Sequence, residues 1–230
     1  MISFHDVTKI ETNRKRETVI LDGVDAVFEP GVTTGILGSP KSGKSTVINL
    51  ICRDDRPTYG QVVHDMTVSW PINSGRFQAN LTVRDNIRIA ALLYGAHPPD
   101  LIRAVNKFAE LGKSLDARIS TLDNISRARL AFAIPLSMNF ECYVIDEMVA
   151  GGDAEFKSRI QDRIATLQKR AAIVFATKNP RLMASMCDVA YTVGGGRLTR
   201  YDDVNQAVAA FNAAGLGNAQ QLRQADSDEE

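Results

Sequence analysis

Gly38-Ser39-Pro40-Lys41-Ser42-Gly43-Lys44-Ser45-Thr46 joins the apolar stretch Val32-Thr33-Thr34-Gly35-Ile36-Leu37 to Val47-Ile48-Asn49-Leu50-Ile51, whose apolar residues recur at helical spacing. Strand, glycine-bearing loop and helix in that order are the context a phosphate-binding loop requires. A triphosphate packs several negative charges into a small volume, so its site needs many donors that approach without bulk. Gly38 and Gly43 let the backbone curl and turn successive N–H groups toward the positive end of the following helix. Lys44 then reaches the β- and γ-phosphates, Ser45 offers a hydroxyl to Mg2+, and Thr46 adds a second hydroxyl beside the phosphates. The same residues could form an ordinary glycine turn; the flanking strand and helix speak against that.

Downstream, Cys142-Tyr143-Val144-Ile145 is a short apolar run suited to a buried parallel strand, and it ends in Asp146-Glu147. A carboxylate at Asp146 can hold magnesium directly or through water, and Glu147 is placed to polarise a water for attack on the γ-phosphate. Acidic residues at a strand end also serve as plain helix caps, which is the competing reading of the pair. Together the two motifs predict a nucleoside triphosphate bound with magnesium.

The 230 residues suffice for one substantial core. Lys+Arg and Asp+Glu balance at 27 each, so the overall charge favours neither nucleic acid nor an anionic membrane surface. With 44% hydrophobic residues, no stretch approaches the roughly 20 apolar residues of a bilayer span, and any membrane role is expected to come through a partner. Met1-Ile2-Ser3-Phe4 begins without a basic region followed by an apolar one, which argues against export. Cys52, Cys142 and Cys187 lack metal-ligand spacing and read as reduced cysteines of a cytoplasmic protein.

Alternating segments at 2–7 and 19–28 read as early strands around a polar hairpin loop at 12–17. Residues 98–112 and 116–138 read as largely helical, 154–169 as a helix, 171–177 as a strand, and Asn179-Pro180 as a turn. Strands alternating with helices predict an α/β fold around a mainly parallel sheet. From Gly215 the chain is Gln/Ala-rich and closes on Asp226-Ser227-Asp228-Glu229-Glu230, read as a flexible acidic tail after a domain spanning 1–214.

The order of these motifs resembles the nucleotide-binding subunit of ATP-binding-cassette (ABC) transporters over roughly 1–210. Phe77-Gln78 is positioned like that family's glutamine loop, Pro57-Thr58-Tyr59-Gly60 like its turn before an antiparallel strand, and Tyr191-Thr192-Val193-Gly194-Gly195-Gly196-Arg197-Leu198 like its closing hairpin. Val68-Ser69-Trp70-Pro71, the run from Gly75 to Ile87, Arg127-Ala128-Arg129-Leu130-Ala131-Phe132 and Gly152-Asp153-Ala154-Glu155-Phe156 are similar to the capsular-polysaccharide export branch. The resemblance implies a P-loop domain with a small antiparallel β subdomain and a helical insertion at about 80–135. It implies ATP and Mg2+ as ligands, with Gln78 joining Ser45 and Asp146 at the metal and Lys44, Gln78 and Glu147 serving hydrolysis. Separate membrane-spanning subunits, contacted by the Gln78 segment, are the implied partners, with the chain peripheral on the inner face of the cell membrane. Trp70, alone, reads as a core or half-buried anchor.

In that family two subunits pair head to tail and sandwich ATP between one phosphate loop and the other subunit's Ser-Gly-rich signature. Here the signature position is Leu122-Asp123-Asn124-Ile125-Ser126, with Asp123 in place of a serine that donates to the γ-phosphate and Ile125 in place of a glycine. A carboxylate facing a triphosphate is repelled unless it is protonated or rotated away. Lys178 replaces the family's switch histidine, Lys41 a loop glycine, and Ile10-Glu11 the aromatic that stacks on adenine. Three readings follow: an ATP-hydrolysing exporter subunit in a homodimer, an impaired ATP-binding subunit beside a competent second ABC ATPase or acting as a regulator, and a soluble P-loop ATPase with no transport role. His5, His64 and His97 fall outside the motifs and read as surface or packing residues.

Overall fold

The computed structural model describes residues 1–13, 16–72, 75–147 and 154–227, with side chains left undescribed at 13 and beyond 215. A long antiparallel hairpin comes first, β1 (Ile2–Asn13) and β2 (Arg16–Phe28), and β4 (Tyr59–His64) adds to the free side of β1. The strands stay paired as far as Asn13 opposite Arg16, so the polar run read as a loop at 12–17 is mostly strand. Arg14 and Lys15 lie outside the described residues. Thr12, Glu17 and Thr18 are exposed on the outer part of this ribbon, which is why their polarity imitated a loop.

The second sheet has the order β5-β6-β3-β7-β8, made of β3 (Thr33–Leu37), β5 (Cys142–Asp146), β6 (Ala172–Thr177), β7 (Val189–Gly194) and β8 (Arg197–Tyr201). Four strands are parallel and β8 returns antiparallel through the Gly194–Arg197 turn. Both faces are covered, so successive residues of one strand enter different cores. Tyr143, Ile145, Ile173 and Phe175 pack toward the helical layer, whereas Cys142, Val144, Val174 and Ala176 pack toward α1 (Lys44–Ile51) and the antiparallel sheet. The continuous apolar runs that marked these strands in the sequence have this cause. Tyr191 bolts the two sheets together: its hydroxyl accepts from Val27 N and donates to Val27 O, both at 3.0 Å, on the outer edge of β2.

The helical layer holds α2 (Val83–Leu93), α3 (Pro98–Ala109) and α4 (Asn124–Leu136). The segment 116–138 is less helical than its composition implied. It contains a short 3₁₀ turn at Ile119–Thr121 and begins α4 only at Asn124, because Asp123 turns back to cap the helix. Beyond α5 (Ala154–Gln168), Asn179-Pro180 opens a helix, α6 (Pro180–Met186), rather than forming a simple turn. The Asn179 carboxamide accepts from Arg181 N and Leu182 N, and Pro180 at the first helical position needs no donor. The backbone of α7 (Val204–Ser227) is helical past Gly215, through much of the segment read as a tail.

Trp70 is half-buried, as read, in an aromatic cluster, 5.0 Å from Tyr94 and 6.0 Å from Phe140 between ring centres. His5 bonds Ser3, His64 bonds the Ile51 carbonyl, and His97 contacts Asp100, so each serves locally. Cys142 is buried and Cys52 and Cys187 half-buried, all as free thiols. Burial pushes the Cys142 and Cys187 thiols up to about 12, which leaves them protonated and unreactive near neutral pH.

Candidate functional site

The C-terminal edge of the parallel sheet brings together the phosphate loop, Asp146 and Glu147, but not Gln78. β3 lies between β6 and β7, while β5, the next parallel strand along the chain, lies beyond β6. This is a topological switch point, where open α/β sheets hold ligands. Register sets Leu37 beside Thr177, and Asp146 beside Ala176, so Gly38, Glu147 and Lys178 all emerge at one level. With strands about 4.8 Å apart, the loop after β3 and the carboxylate ending β5 stand about 10 Å apart laterally, room for phosphates and a hydrated cation between them.

Gly43, at φ 103°, caps α1 in a conformation that suits glycine, and a Cβ on Gly38 would come within 2.9 Å of the Val193 carbonyl. Lys44 Nζ folds onto the loop and donates to Gly38 O at 2.5 Å and Ser39 O at 3.1 Å. Burial depresses its pKa, opposed by the nearby Glu147 and Asp146 carboxylates. Asp146 is pushed the other way, upward, by burial and by Glu147, with Lys44 opposing. Ser42 Oγ is buried with no partner, an orphaned donor inside the loop. Such a cradle of amides, a lysine and an unsatisfied hydroxyl fits a phosphate chain. Among the described residues no cluster of His, Cys, Asp and Glu could hold a metal by itself. Magnesium commonly takes one or two carboxylates and completes its shell with phosphates and water, and Asp146 with the Ser45 hydroxyl fits that pattern.

Glu147 has φ 58°, uncommon for a residue with a side chain, and its amide donates to Ala176 O at 2.9 Å. Its carboxylate lies 3.8 Å from Lys178 Nζ. Met148 to Asp153, including the Gly152-Asp153 pair quoted above, lies outside the described residues. Ser39, Pro40 and Lys41 sit on the loop and Ser45 in the first turn of α1; Lys41 is exposed, with φ 63°.

Gln78 is exposed and makes no side-chain hydrogen bond to Ser45 or Asp146 among the described residues. Its backbone is held instead by Asn86, which sequence reasoning missed. Asn86 Oδ1 accepts from Gln78 N at 2.7 Å, and Nδ2 donates to Gln78 O at 3.2 Å and Thr82 O at 2.8 Å. A polar residue on the buried face of an amphipathic helix was the available signal. The segment borders a cavity of about 270 Å3 lined by Trp70, Phe77, Ile89, Leu93 and Tyr94. Leu92 and Leu93 beside it are 67% and 74% exposed.

The Asp123 carboxylate accepts from Ser126 N at 2.7 Å and Ser126 Oγ at 3.1 Å, and these bonds hold its pKa below the usual carboxylate value. Ile125, next to it, is 56% exposed. On β1, Ile10 is half-buried and Glu11 exposed, so the strand offers no aromatic face where the family's adenine-stacking ring was sought.

Phosphate loop, acidic strand end, antiparallel subdomain and helical insertion define a P-loop nucleotide-binding cassette. The family model described as ABC transporter matches residues 21–150, more than half of the chain. This chain belongs to that family. It is 35% identical over 214 residues to the ATP-binding protein BexA of Haemophilus influenzae, covering 92% of this chain and 98% of that one. It is 32% identical to the capsule polysaccharide export ATP-binding protein CtrD of Neisseria meningitidis serogroup B, over 93% and 99% of the two chains. With the polysialic acid transport ATP-binding protein KpsT of Escherichia coli it shares 31% identity over 92% and 98%. Among solved structures, the dimeric ATP-binding cassette MJ0796, in a post-hydrolysis state bound to ADP and Pi, superposes with a TM-score of 0.77 at 20% identity, over 89% of this chain and 99% of that one.

Proposed function

We propose that this chain is the ATP-binding subunit of an ABC exporter of capsular or related polysaccharide. The observation that carries the reading is the meeting of the phosphate loop, Asp146 and Glu147 at one sheet edge, in a chain resembling three proteins whose names place them in capsule-related export or ATP binding. Among the described residues no helix is long and apolar enough to cross a membrane, so the reading needs separate membrane-spanning subunits. The cavity beside Gln78 and the exposed Leu92 and Leu93 form the surface they would contact, on the inner, cytoplasmic face of the membrane.

Lys44 exchanges its two loop carbonyls for the β- and γ-phosphates, a swap favoured because the ammonium trades neutral acceptors for anionic ones. Ser45, Asp146 and Gln78 would hold Mg2+, which when bound neutralises part of the phosphate charge. Glu147 orients the attacking water, and Lys178 Nζ, 3.8 Å from that carboxylate, helps fix its position. Gln78 reaches the site only if its side chain swings inward, so occupancy of the Gln78 cavity would be coupled to the metal. Purified chain should bind Mg-ATP, Lys44→Ala should lose that binding, and hydrolysis should exceed that of Glu147→Gln. Binding without hydrolysis above the Glu147→Gln control, with membrane subunits present, would remove the hydrolytic part.

Asp123 supports a second reading, an impaired subunit whose phosphate loop is completed by a different ABC ATPase. A full-rate homodimer of this chain alone would defeat it.

A further inference from the structure

The segment that carries Gln78 is fastened to the far end of the phosphate loop's own helix. α1 opens at Lys44 and closes in a tight turn in which Arg53 takes φ 60°. There Arg53 N donates to Leu50 O at 3.3 Å and Asp54 N to Asn49 O at 2.8 Å. Those two bonds occupy carbonyls of the last helical turn, so Asp54 has a set position relative to α1. Its carboxylate meets Arg76 in a two-pronged bridge, Nη1 donating to Oδ1 and Nη2 to Oδ2, both at 2.7 Å. Arg76 stands two residues before Gln78, and both partners of the bridge border the cavity beside that segment.

We propose that Arg76 and Asp54 are positioning residues that refer Gln78 to the place of α1 and so set its reach to the metal beside the phosphates. The inference rests on the ATP-binding reading above, with Gln78 as a ligand of Mg2+, and deepens it by naming what aims that side chain. Asn86 holds the Gln78 backbone from α2, in the helical layer. The Arg76–Asp54 bridge is a separate tie, made to the helix whose first turn presents Lys44 and Ser45. With the bridge closed, Gln78 and the phosphate site move as one body; with it open, Gln78 follows α2 alone. An exposed ion pair is ordinarily weak, because water and side-chain entropy compete with it. Here the Asp54 side chain is only 24% exposed and its backbone is already fixed, and the planar guanidinium matches both carboxylate oxygens, so little freedom is lost on closing. A bridge that merely braced the segment would change its stability and leave the metal alone.

ATP dissociation constants of the full chain, measured by titration calorimetry with Mg2+ and with EDTA, give the affinity that the metal adds. Arg76→Met and Asp54→Asn are each expected to shrink that added affinity about fivefold, while ATP affinity in EDTA stays within about twofold of wild type. Hydrogen exchange over residues 75–82 should quicken in both variants. Gln78→Ala supplies the decisive comparison. If the pair acts through Gln78, adding Arg76→Met to Gln78→Ala leaves the metal's contribution where Gln78→Ala alone put it. Additive losses in that double variant, or a loss of ATP affinity in EDTA as large as that in Mg2+, would show a general brace and overturn the proposal. So would wild-type exchange over 75–82, or a metal contribution undiminished in Arg76→Met and Asp54→Asn or in Gln78→Ala. Failure of the underlying reading looks different: a wild-type chain that binds no ATP, or binds it no better with Mg2+ than with EDTA, would sink that reading before any variant is compared.

Discussion

Replacing Asn86 with alanine should loosen the Gln78 segment without unfolding the protein. Asn86 makes three hydrogen bonds to the backbone of Gln78 and Thr82, at 2.7, 3.2 and 2.8 Å, from a position 7% exposed. Thr82 O also accepts from Asn86 N, and Gln78 O from Leu81 N, so both carbonyls keep a partner after the truncation. Only Gln78 N is orphaned. Counting about 1 kcal/mol for each lost bond, and allowing the exposed Gln78 backbone to recover water, leaves a net cost of about 2 kcal/mol. At this chain length that is a fall in Tm of about 4–8 °C, and a roughly 30-fold gain in local opening if the loss stays local. Amide hydrogen exchange read by mass spectrometry over residues 77–82 distinguishes the two. Asn86→Asp sharpens the test, since it keeps the acceptor for Gln78 N but sets a carboxylate oxygen against the Gln78 and Thr82 carbonyls. Its loosening should equal or exceed that of alanine at neutral pH and recede as pH falls through the carboxyl range, where the protonated acid donates again. Exchange at the wild-type rate over 77–82 in Asn86→Ala would refute the claim that Asn86 positions this segment.

Asp146→Asn should stabilise the nucleotide-free protein at neutral pH while abolishing magnesium-dependent ATP binding. Burial raises the Asp146 pKa in the folded state, so the native form holds the proton more tightly and stability falls as pH rises from its ordinary value of 3.8 through the raised one, a penalty the amide removes; melts from pH 4 to 7 should show the variant's advantage growing with pH. Ser42→Ala deletes a buried hydroxyl without a partner and is expected to leave nucleotide-free stability unchanged or higher by about 1 kcal/mol, yet to shrink the Tm gain on adding Mg-ATP; an undiminished gain would mean the hydroxyl does not serve the phosphates. Tyr191→Phe removes both hydrogen bonds to Val27 from a residue 2% exposed and should cost about 2 kcal/mol, read by chemical denaturation, with ATP affinity little changed.

The phosphate loop and β5 were legible because each is contiguous. The loop's chemistry is a fixed string from Gly38 to Thr46, and β5 is a strand buried on both faces, so its residues are apolar without interruption. The hairpin extending to Asn13 was not, because its outer residues are exposed and their polar side chains read as loop. Asn179-Pro180 was misread for a different reason. The same two residues start a helix or close a turn, and only the amides of Arg181 and Leu182, turned onto the Asn179 oxygen, decide between them. Asn86 shows the limit most plainly. Its partners lie eight residues away, on a segment whose approach to α2 no local pattern announces.

Asp123 separates what the departures mean for structure from what they mean for chemistry. A carboxylate at the signature position had to be protonated or turned away to coexist with a facing triphosphate. The structure turns its oxygens onto Ser126, and those bonds favour the ionised form. Serine, asparagine and aspartate all cap helices well, so the fold of α4 gains nothing from aspartate that serine would not supply. What aspartate adds is charge, presented at the start of a helix on an exposed lip. The departure is therefore electrostatic rather than structural, and whether it disables or redirects the dimer depends on the charge it meets. Asp123→Asn isolates that term, because the cap survives and the charge does not: if the carboxylate repels a triphosphate bound by a second subunit, the amide should tighten Mg-ATP-dependent association measured by sedimentation velocity, and unchanged association would refute the repulsion.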